Sequence, residues 1–338
     1  MIIHQTSYAR AGLAGNPSDL FNGKTLSVLF DHFEANVTLY ETPRLRIIPG
    51  QRDQSVFDDI HKLVDYRKQY GYYGGVRLLE ALIVRFYDYC RENDIRLDHR
   101  NFTVEYDSNI PFAVGLAGST AIVTALFKAL MAFYELSDED IPKPIQANII
   151  LEAETRELDI HAGPQDRVVS VYGGLVYMDF SETAYEQNGG IHGNYKKLDA
   201  TLLPPLFVAY NQECSQSSGK THDVVRFQHT LERNRNIREV MKKKADLVDA
   251  AFECLTAGKP DRLGPLMDRD FDLRKSIYNI SPANLEMIQI ARDCGAHAKF
   301  TGSGGAVVGI YRDAAHLREL ADSYAKAGYE FLKARPVL

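Results

Sequence analysis

The chain has 338 residues, enough for one large or two ordinary domains, each with its own core. Hydrophobic residues make up 45% and charged residues 25%, the balance of a soluble globular protein. A formal net charge of −6 argues against a nucleic-acid polymer as partner, because phosphate contacts need a basic face, but leaves room for a nucleotide bound locally.

No apolar run reaches the roughly 18 residues of a membrane helix, and Met1–Gln5 is not a basic flank leading into an apolar stretch. The expected location is therefore the cytoplasm, away from membranes. Cys90, Cys214, Cys254 and Cys294 stand far apart with no C-x-x-C pair, and the ten histidines include no H-E-x-x-H. This pattern reads as reduced cysteines and argues against a disulfide frame, a zinc site and transition-metal chemistry.

The first 50 residues contain a polar turn, Ala9-Arg10-Ala11-Gly12-Leu13-Ala14-Gly15-Asn16-Pro17-Ser18-Asp19, then Asn22-Gly23 and an alternating run through Leu26, Val28 and Phe30. The glycines and the Asn-Pro step predict a turn between extended segments, and Asn22-Gly23 is a hairpin signal. Two readings stand here: a grip on a ligand, or an Asx-type turn in which Asp19 satisfies local backbone. Ser55–Asn93 has helical spacing at Leu78, Leu79, Ala81, Leu82, Val84 and Phe86, broken at Tyr70-Gly71-Tyr72-Tyr73-Gly74-Gly75. Tyrosines in that loop suit either a nucleotide base or packing over a core. Arg77 suits either an anion or a solvated helix face.

Phe102, Val104 and Tyr106 alternate as in a strand. There follow Pro111-Phe112-Ala113-Val114-Gly115-Leu116-Ala117-Gly118-Ser119-Thr120-Ala121 and a breaker-free apolar segment, Ile122–Tyr134. A strand, a small-residue loop and a helix N-terminus bring backbone N–H groups and a partial positive charge close to a ligand, which suits phosphate. The same residues also suit close packing of a helix on a sheet. No Gly-Lys-[Ser/Thr] follows at Walker A spacing.

Ser137 before Asp138-Glu139-Asp140 reads as an N-cap, and the helix it predicts continues through Ile149, Ile150 and Leu151 with Glu152, Glu154 and Glu157. It must end before Gly163-Pro164, after which Asp166 opens a segment closed by Gly173-Gly174 and an alternating strand, Leu175–Phe180. Two carboxylates so arranged can serve a magnesium ion and a substrate hydroxyl, or can be salt-bridged. Residues 181–204, rich in breakers, are expected to connect two domains. A strand at Leu206–Tyr210 leads to a polar loop, Cys214 to Arg226, that suits an anionic sugar or an ordinary linker and cap. Helical patterns cover Asp223–Thr256, Leu263–Ser276 and Ala283–Asp293, with the basic run Arg233–Lys244 read as a solvated face. Lys299-Phe300-Thr301-Gly302-Ser303-Gly304-Gly305-Ala306 then precedes an apolar strand. As a dinucleotide fingerprint it fails, since Val307 stands where a third glycine or alanine belongs and the loop precedes its strand.

The Pro111–Ala121 stretch resembles the phosphate loop of the GHMP kinases, Pro-x-x-x-Gly-Leu-[Gly/Ala]-x-Ser-x-Ala. Arg10, Leu13, Gly15 and Asn16 resemble the family's opening element, and Lys299–Ala306 its third, glycine-rich motif. The three lie in the family's order and cover the chain from Arg10 to Ala306. The Ala9–Asp19 and Ser218–Arg226 stretches, with Phe271–Lys275, are similar to those of the plant-type glucuronokinases within the superfamily. Departures are Ala117 where many members have glycine, Asn16 in place of an acid, and Arg10 where mevalonate kinases have lysine.

The resemblance implies an α+β, two-lobed GHMP kinase fold: an N-terminal ribosomal protein S5 domain 2-like part over residues 1–190 and a C-terminal ferredoxin-like part over residues 191–338. It implies an ATP-dependent sugar kinase acting on an anomeric hydroxyl, with glucuronate converted to glucuronate 1-phosphate. Its partners are then a nucleoside triphosphate and a small sugar, in a monomer or homodimer. Pro111, Gly115, Leu116, Ala117, Gly118, Ser119 and Thr120 would hold the nucleotide, and Ser119 and Glu154 the Mg2+. Asp166 and Arg10 would be catalytic. Asn16, Asp19, Lys220, Arg226, Gly302, Ser303 and Gly304 would bind substrate, with Lys220, Arg226 or Arg274 pairing with a sugar carboxylate. Other acceptors (heptose, fucose, galactose or a mevalonate-like alcohol) and a non-catalytic nucleotide- or sugar-binding protein of the same fold are the alternatives.

Overall fold

The computed structural model describes residues 1–50, 53, 74–211 and 235–338. The chain divides into two compact units, one of Met1–Tyr8, Phe33–Ile110 and Gly118–Ala162, the other of Ala9–His32, Pro111–Ala117 and Gly163–Leu338. Two long strands, β1 (Ile2–Ala14) and β2 (Lys24–Thr42), pair with each other and contribute residues to both.

In the first unit the far half of β2 runs antiparallel to β4 (Asn101–Ser108), with Val37 opposite Tyr106 and Leu39 opposite Val104. The short β3 (Arg46–Ile48) lies parallel on the other side of β4. Phe102, Val104 and Tyr106 are all buried, as their alternation requires. Three helices pack on one another: α1 (Gly75–Glu92), α2 (Gly118–Phe133) and α3 (Lys143–Thr155). α2 is apolar on nearly every side and has eleven buried residues, and Phe127 meets Phe86 of α1 edge-on at 5.7 Å. The expected helix start at Ser137 is corrected. α3 begins at Lys143 after Pro142, while Asp140 Oδ2 accepts from the backbone and hydroxyl of Ser137 at 2.8 Å each, closing a turn. Proline disfavours helical backbone in the residue before it, so the acidic triplet cannot run on into α3.

In the second unit the near half of β2 pairs antiparallel with β5 (Leu175–Asp179), after the short helix α4 (Gln165–Tyr172). The segment expected to connect domains is instead built into this sheet. It holds α5 (Glu182–Gln187), capped by Ser181, and β6 (Asn194–Leu198), antiparallel to β5. Gly189 and Gly190, at φ 64° and 78°, turn the chain between them, so the breakers mark a tight return and not a linker.

The same unit contains a four-stranded sheet in the order β10 (Glu330–Lys333), β7 (Leu206–Tyr210), β9 (Ala306–Ile310), β8 (His297–Phe300), antiparallel throughout. Numbered within this sheet the order is 4-1-3-2, the ferredoxin-like arrangement. Helices α6 (Arg235–Thr256), α7 (Leu263–Lys275) and α8 (Pro282–Asp293) lie between β7 and β8 in the chain, and α9 (Ala314–Lys326) between β9 and β10. Phe207, Phe271, Met287, Phe300, Leu320 and Tyr324 form its core, each buried ring or aliphatic chain contributing about 1.5–3 kcal/mol. Among the described residues no helix is long and apolar enough to cross a membrane.

Candidate active site

The inner end of β1 is buried from Ala9 to Ala14, and this burial fixes where its one charged residue can go. Arg10 is 4% exposed. Its Nε and NH2 reach Oδ1 of Asp166 at 2.8 and 2.7 Å, and its NH1 donates to the carbonyls of Gly115, at 3.2 Å, and Thr301. One guanidinium thus ties a carboxylate to two loop carbonyls, a use of its donors that a lysine cannot copy.

Asp166 lies in the first turn of α4, where the helix dipole favours an acid. Asp19 sits in a short 3-10 turn (Ser18–Phe21) beyond β1, and its Oδ2 accepts from the backbone N–H of Gln165 at 3.3 Å. A Cβ on Gly163 would fall on that same oxygen, so the glycine is what lets Asp19 approach. Burial, and then the charge of Asp166, raises the Asp19 pKa to about 6, against the lowering effect of Gln165 N–H and Arg10.

The loop Pro111–Ala117 has no regular structure and winds through three positive-φ residues, Ala113 (56°), Gly115 (75°) and Ala117 (60°). Alanine in the left-handed region is strained, and strain of this kind gathers at functional loops. Against Gly115 lies the second glycine loop. Thr301 Oγ1 donates to the Gly115 carbonyl at 3.0 Å, and a Cβ on Gly302 would overlap that carbonyl. Two further groups hold the second loop. Arg274, 3% exposed, donates NH1 to Gly302 O at 2.7 Å and NH2 to Ser303 O at 2.8 Å, while Asn284 Oδ1 accepts from Gly305 N–H at 2.8 Å. Arg274, one sequence candidate for a sugar carboxylate, is thus spent on backbone.

Behind the loop is a buried charge cluster that the sequence did not disclose. Lys244 bonds Asp270 Oδ1 at 2.8 Å, and Lys299 lies 3.5 Å from Oδ2. Lys299 also donates to Gly12 O at 2.9 Å, Phe300 O at 3.0 Å and the Asn16 side-chain oxygen, and Gly15 N–H reaches Asp270 at 2.8 Å. Burial lowers the Lys299 pKa to about 7, with Asp270 opposing it. For Asp270 burial works upward, but Lys244 and Lys299 outweigh it and hold the carboxyl below its usual range. Lys244, read from sequence as part of a solvated basic face, is fully buried. Only the apolar residues around it, Val240, Leu247 and Val248, hinted at this.

In the first unit, Gly118, Ser119 and Thr120 form the first turn of α2, and Glu154 on α3 is 2% exposed. Its neighbours Glu152 and Glu157 pair with Arg85, at 2.8 and 4.0 Å. Among the described residues no group of three or more histidine, cysteine or acidic side chains could hold a metal ion. A serine hydroxyl and a glutamate are nonetheless the hard oxygen donors that Mg2+ takes. Lys220, Arg226, Cys214 and the Tyr70–Tyr73 loop lie outside the described residues.

Two glycine loops in contact, a carboxylate forked by an arginine and a second acid beside it thus come together within the second unit. The family model for the GHMP kinases N terminal domain matches residues 81–174, and that for GHMP kinases C terminal matches residues 251–330. The chain belongs to the GHMP kinase family and is an enzyme that transfers a phosphoryl group to an alcohol. It is 41% identical over 332 residues to Glucuronokinase 1 of Arabidopsis thaliana, covering 97% of this chain and 90% of that protein. Probable glucuronokinase 2 of the same plant is 43% identical over 312 residues, covering 91% and 84%. The crystal structure of the Methanococcus jannaschii mevalonate kinase matches with a TM-score of 0.71 at 19% identity, covering 99% of this chain and 98% of that one, a likeness of fold alone.

Proposed function

We propose that the protein transfers the γ-phosphoryl group of ATP to the anomeric hydroxyl of glucuronate, forming glucuronate 1-phosphate. The observation that carries this reading is the Arg10–Asp166 fork beside the Gly115 and Gly302 loops, in a chain 41% and 43% identical to two proteins named glucuronokinases. The backbone of Gly115–Ser119 receives the phosphates, aided by the positive end of α2. Asp166 accepts a hydrogen bond from the attacking hydroxyl, and Arg10 balances the charge that builds up as the phosphoryl group moves. Phosphoryl transfer depends mainly on positioning and charge neutralisation, so this pair is suited to it without a strong base. Asp19 binds the sugar, whereas Asn16, 3% exposed with its side-chain oxygen on Lys299, and the Gly302 and Ser303 carbonyls, held by Arg274, are engaged within the protein. Ser119 and Glu154 would hold Mg2+, which when bound neutralises phosphate charge. With Arg274 committed to the loop carbonyls, Lys220 and Arg226 remain for the sugar carboxylate.

The test is to incubate the protein with MgATP and glucuronate and follow the sugar phosphate by phosphorus NMR. The wild type turns over, and Asp166→Asn loses about 10²-fold or more of kcat. Turnover of a neutral sugar in preference to glucuronate would overturn the choice of acceptor.

A further inference from the structure

Gln165 is the first residue of α4 and is 4% exposed, and it touches both acids of the centre. Its backbone N–H, which has no partner within the helix at this position, goes to Asp19 Oδ2 at 3.3 Å. Its side-chain Nε2 donates to Asp166 Oδ1 at 3.2 Å. The amide cannot be turned over, because its oxygen would then face a carboxylate oxygen.

The contacts of Asp166 are lopsided. Arg10 Nε, Arg10 NH2 and Gln165 Nε2 all approach Oδ1, and among the described residues Oδ2 has no hydrogen bond or ion pair. A carboxylate pinned at one oxygen by three N–H donors presents the other as its free acceptor. A further observation sets Gln165 apart from a packing residue. Its Oε1 is buried and has no hydrogen-bond partner among the described residues. A buried acceptor without a donor costs stability, and a leucine of similar size would avoid that cost.

We infer that Gln165 is a positioning residue, which with Arg10 fixes Oδ1 of Asp166 so that Oδ2 faces the acceptor hydroxyl, and which holds Asp19 beside the same carboxylate. The inference rests on the kinase reading above. Removing the amide leaves substrate binding nearly intact and misaligns the reacting oxygen, so the loss falls on kcat.

The experiment compares Gln165→Leu and Gln165→Glu with the wild-type full-length chain, using MgATP and the sugar that the wild type phosphorylates. Gln165→Leu lowers kcat about 10- to 100-fold, with both KM values within about threefold. Its melting temperature is at or above that of the wild type. Gln165→Glu has the same shape but offers no donor at neutral pH, and it loses at least as much kcat. The inference is overturned if both variants keep kcat within about threefold of wild type, or if the loss lies in KM alone. An inactive wild type would overturn the kinase reading and this inference together, whereas an active wild type with unaffected variants overturns this inference alone.

Discussion

Arg10 and Asp166, 156 positions apart, are joined by two N–H donors of one guanidinium on one carboxylate oxygen, at 2.8 and 2.7 Å. The same guanidinium reaches the carbonyls of Gly115 and Thr301, so one side chain bears at once on the charge, the carboxylate and both loops. Arg10→Lys keeps the charge and loses the fork. Its kcat is expected to fall about 10²- to 10³-fold, with the KM for ATP little changed. Steady-state kinetics check this, and a variant keeping more than a tenth of wild-type kcat contradicts it.

Asp19, with its pKa raised to about 6 by burial and then by Asp166, gives the centre a pH dependence of definite sign. As an acid whose folded pKa lies above its unfolded value, it adds stability that is complete below about pH 4 and lost as pH rises through about 6. Asp19→Asn removes the charge that costs stability. Its melting temperature should exceed that of wild type at pH 8 and match it near pH 4. In wild type, kcat/KM for the sugar rises through about pH 6 as Asp19 ionises, and the asparagine variant lacks that rise.

Gly163 abuts the Asp19 carboxylate so closely that a methyl group there would displace it. Gly163→Ala is expected to act on the acid and not on the fold, since the obstructed atom is the end of a side chain. The KM for sugar rises about tenfold, worth about 1.4 kcal/mol of binding. Thermal melting should stay within a few degrees of wild type, and a collapse of the melting temperature with unchanged KM would refute this account.

Asp270 is the counter-charge for Lys244 and Lys299, all three at most 2% exposed. Asp270→Asn removes the counter-charge of two buried lysines whose pKa values burial already lowers, and a loss of about 3–5 kcal/mol is expected in urea unfolding at pH 7. Lys244→Met made together with Asp270→Leu should lose less than the two single variants summed, because the pair is removed as a unit. Simple additivity would show that the cluster is not coupled.

Much of the fold was legible because its signals are local. The alternation of Phe102, Val104 and Tyr106, the apolar run of α2 and the two glycine loops follow from the period of a strand, the period of a helix and the freedom of small residues, each readable within a dozen positions. Even there, Ser137 and the breakers of residues 181–204 misled. A cap or a glycine marks a change of direction without saying what lies on either side.

The sequence by itself determined many of the elements, the order of the three motifs and the kinds of residue brought to the centre. Only the tertiary structure decided which polar groups answer which. Arg274 turned out to bind Gly302 and Ser303, Lys244 to lie inside with Asp270, and Gln165 to bridge Asp19 and Asp166. A side chain's hydrogen-bonding capacity is written in its type. Its partner is set by which groups lose water together when distant segments close, and that is a property of the folded chain.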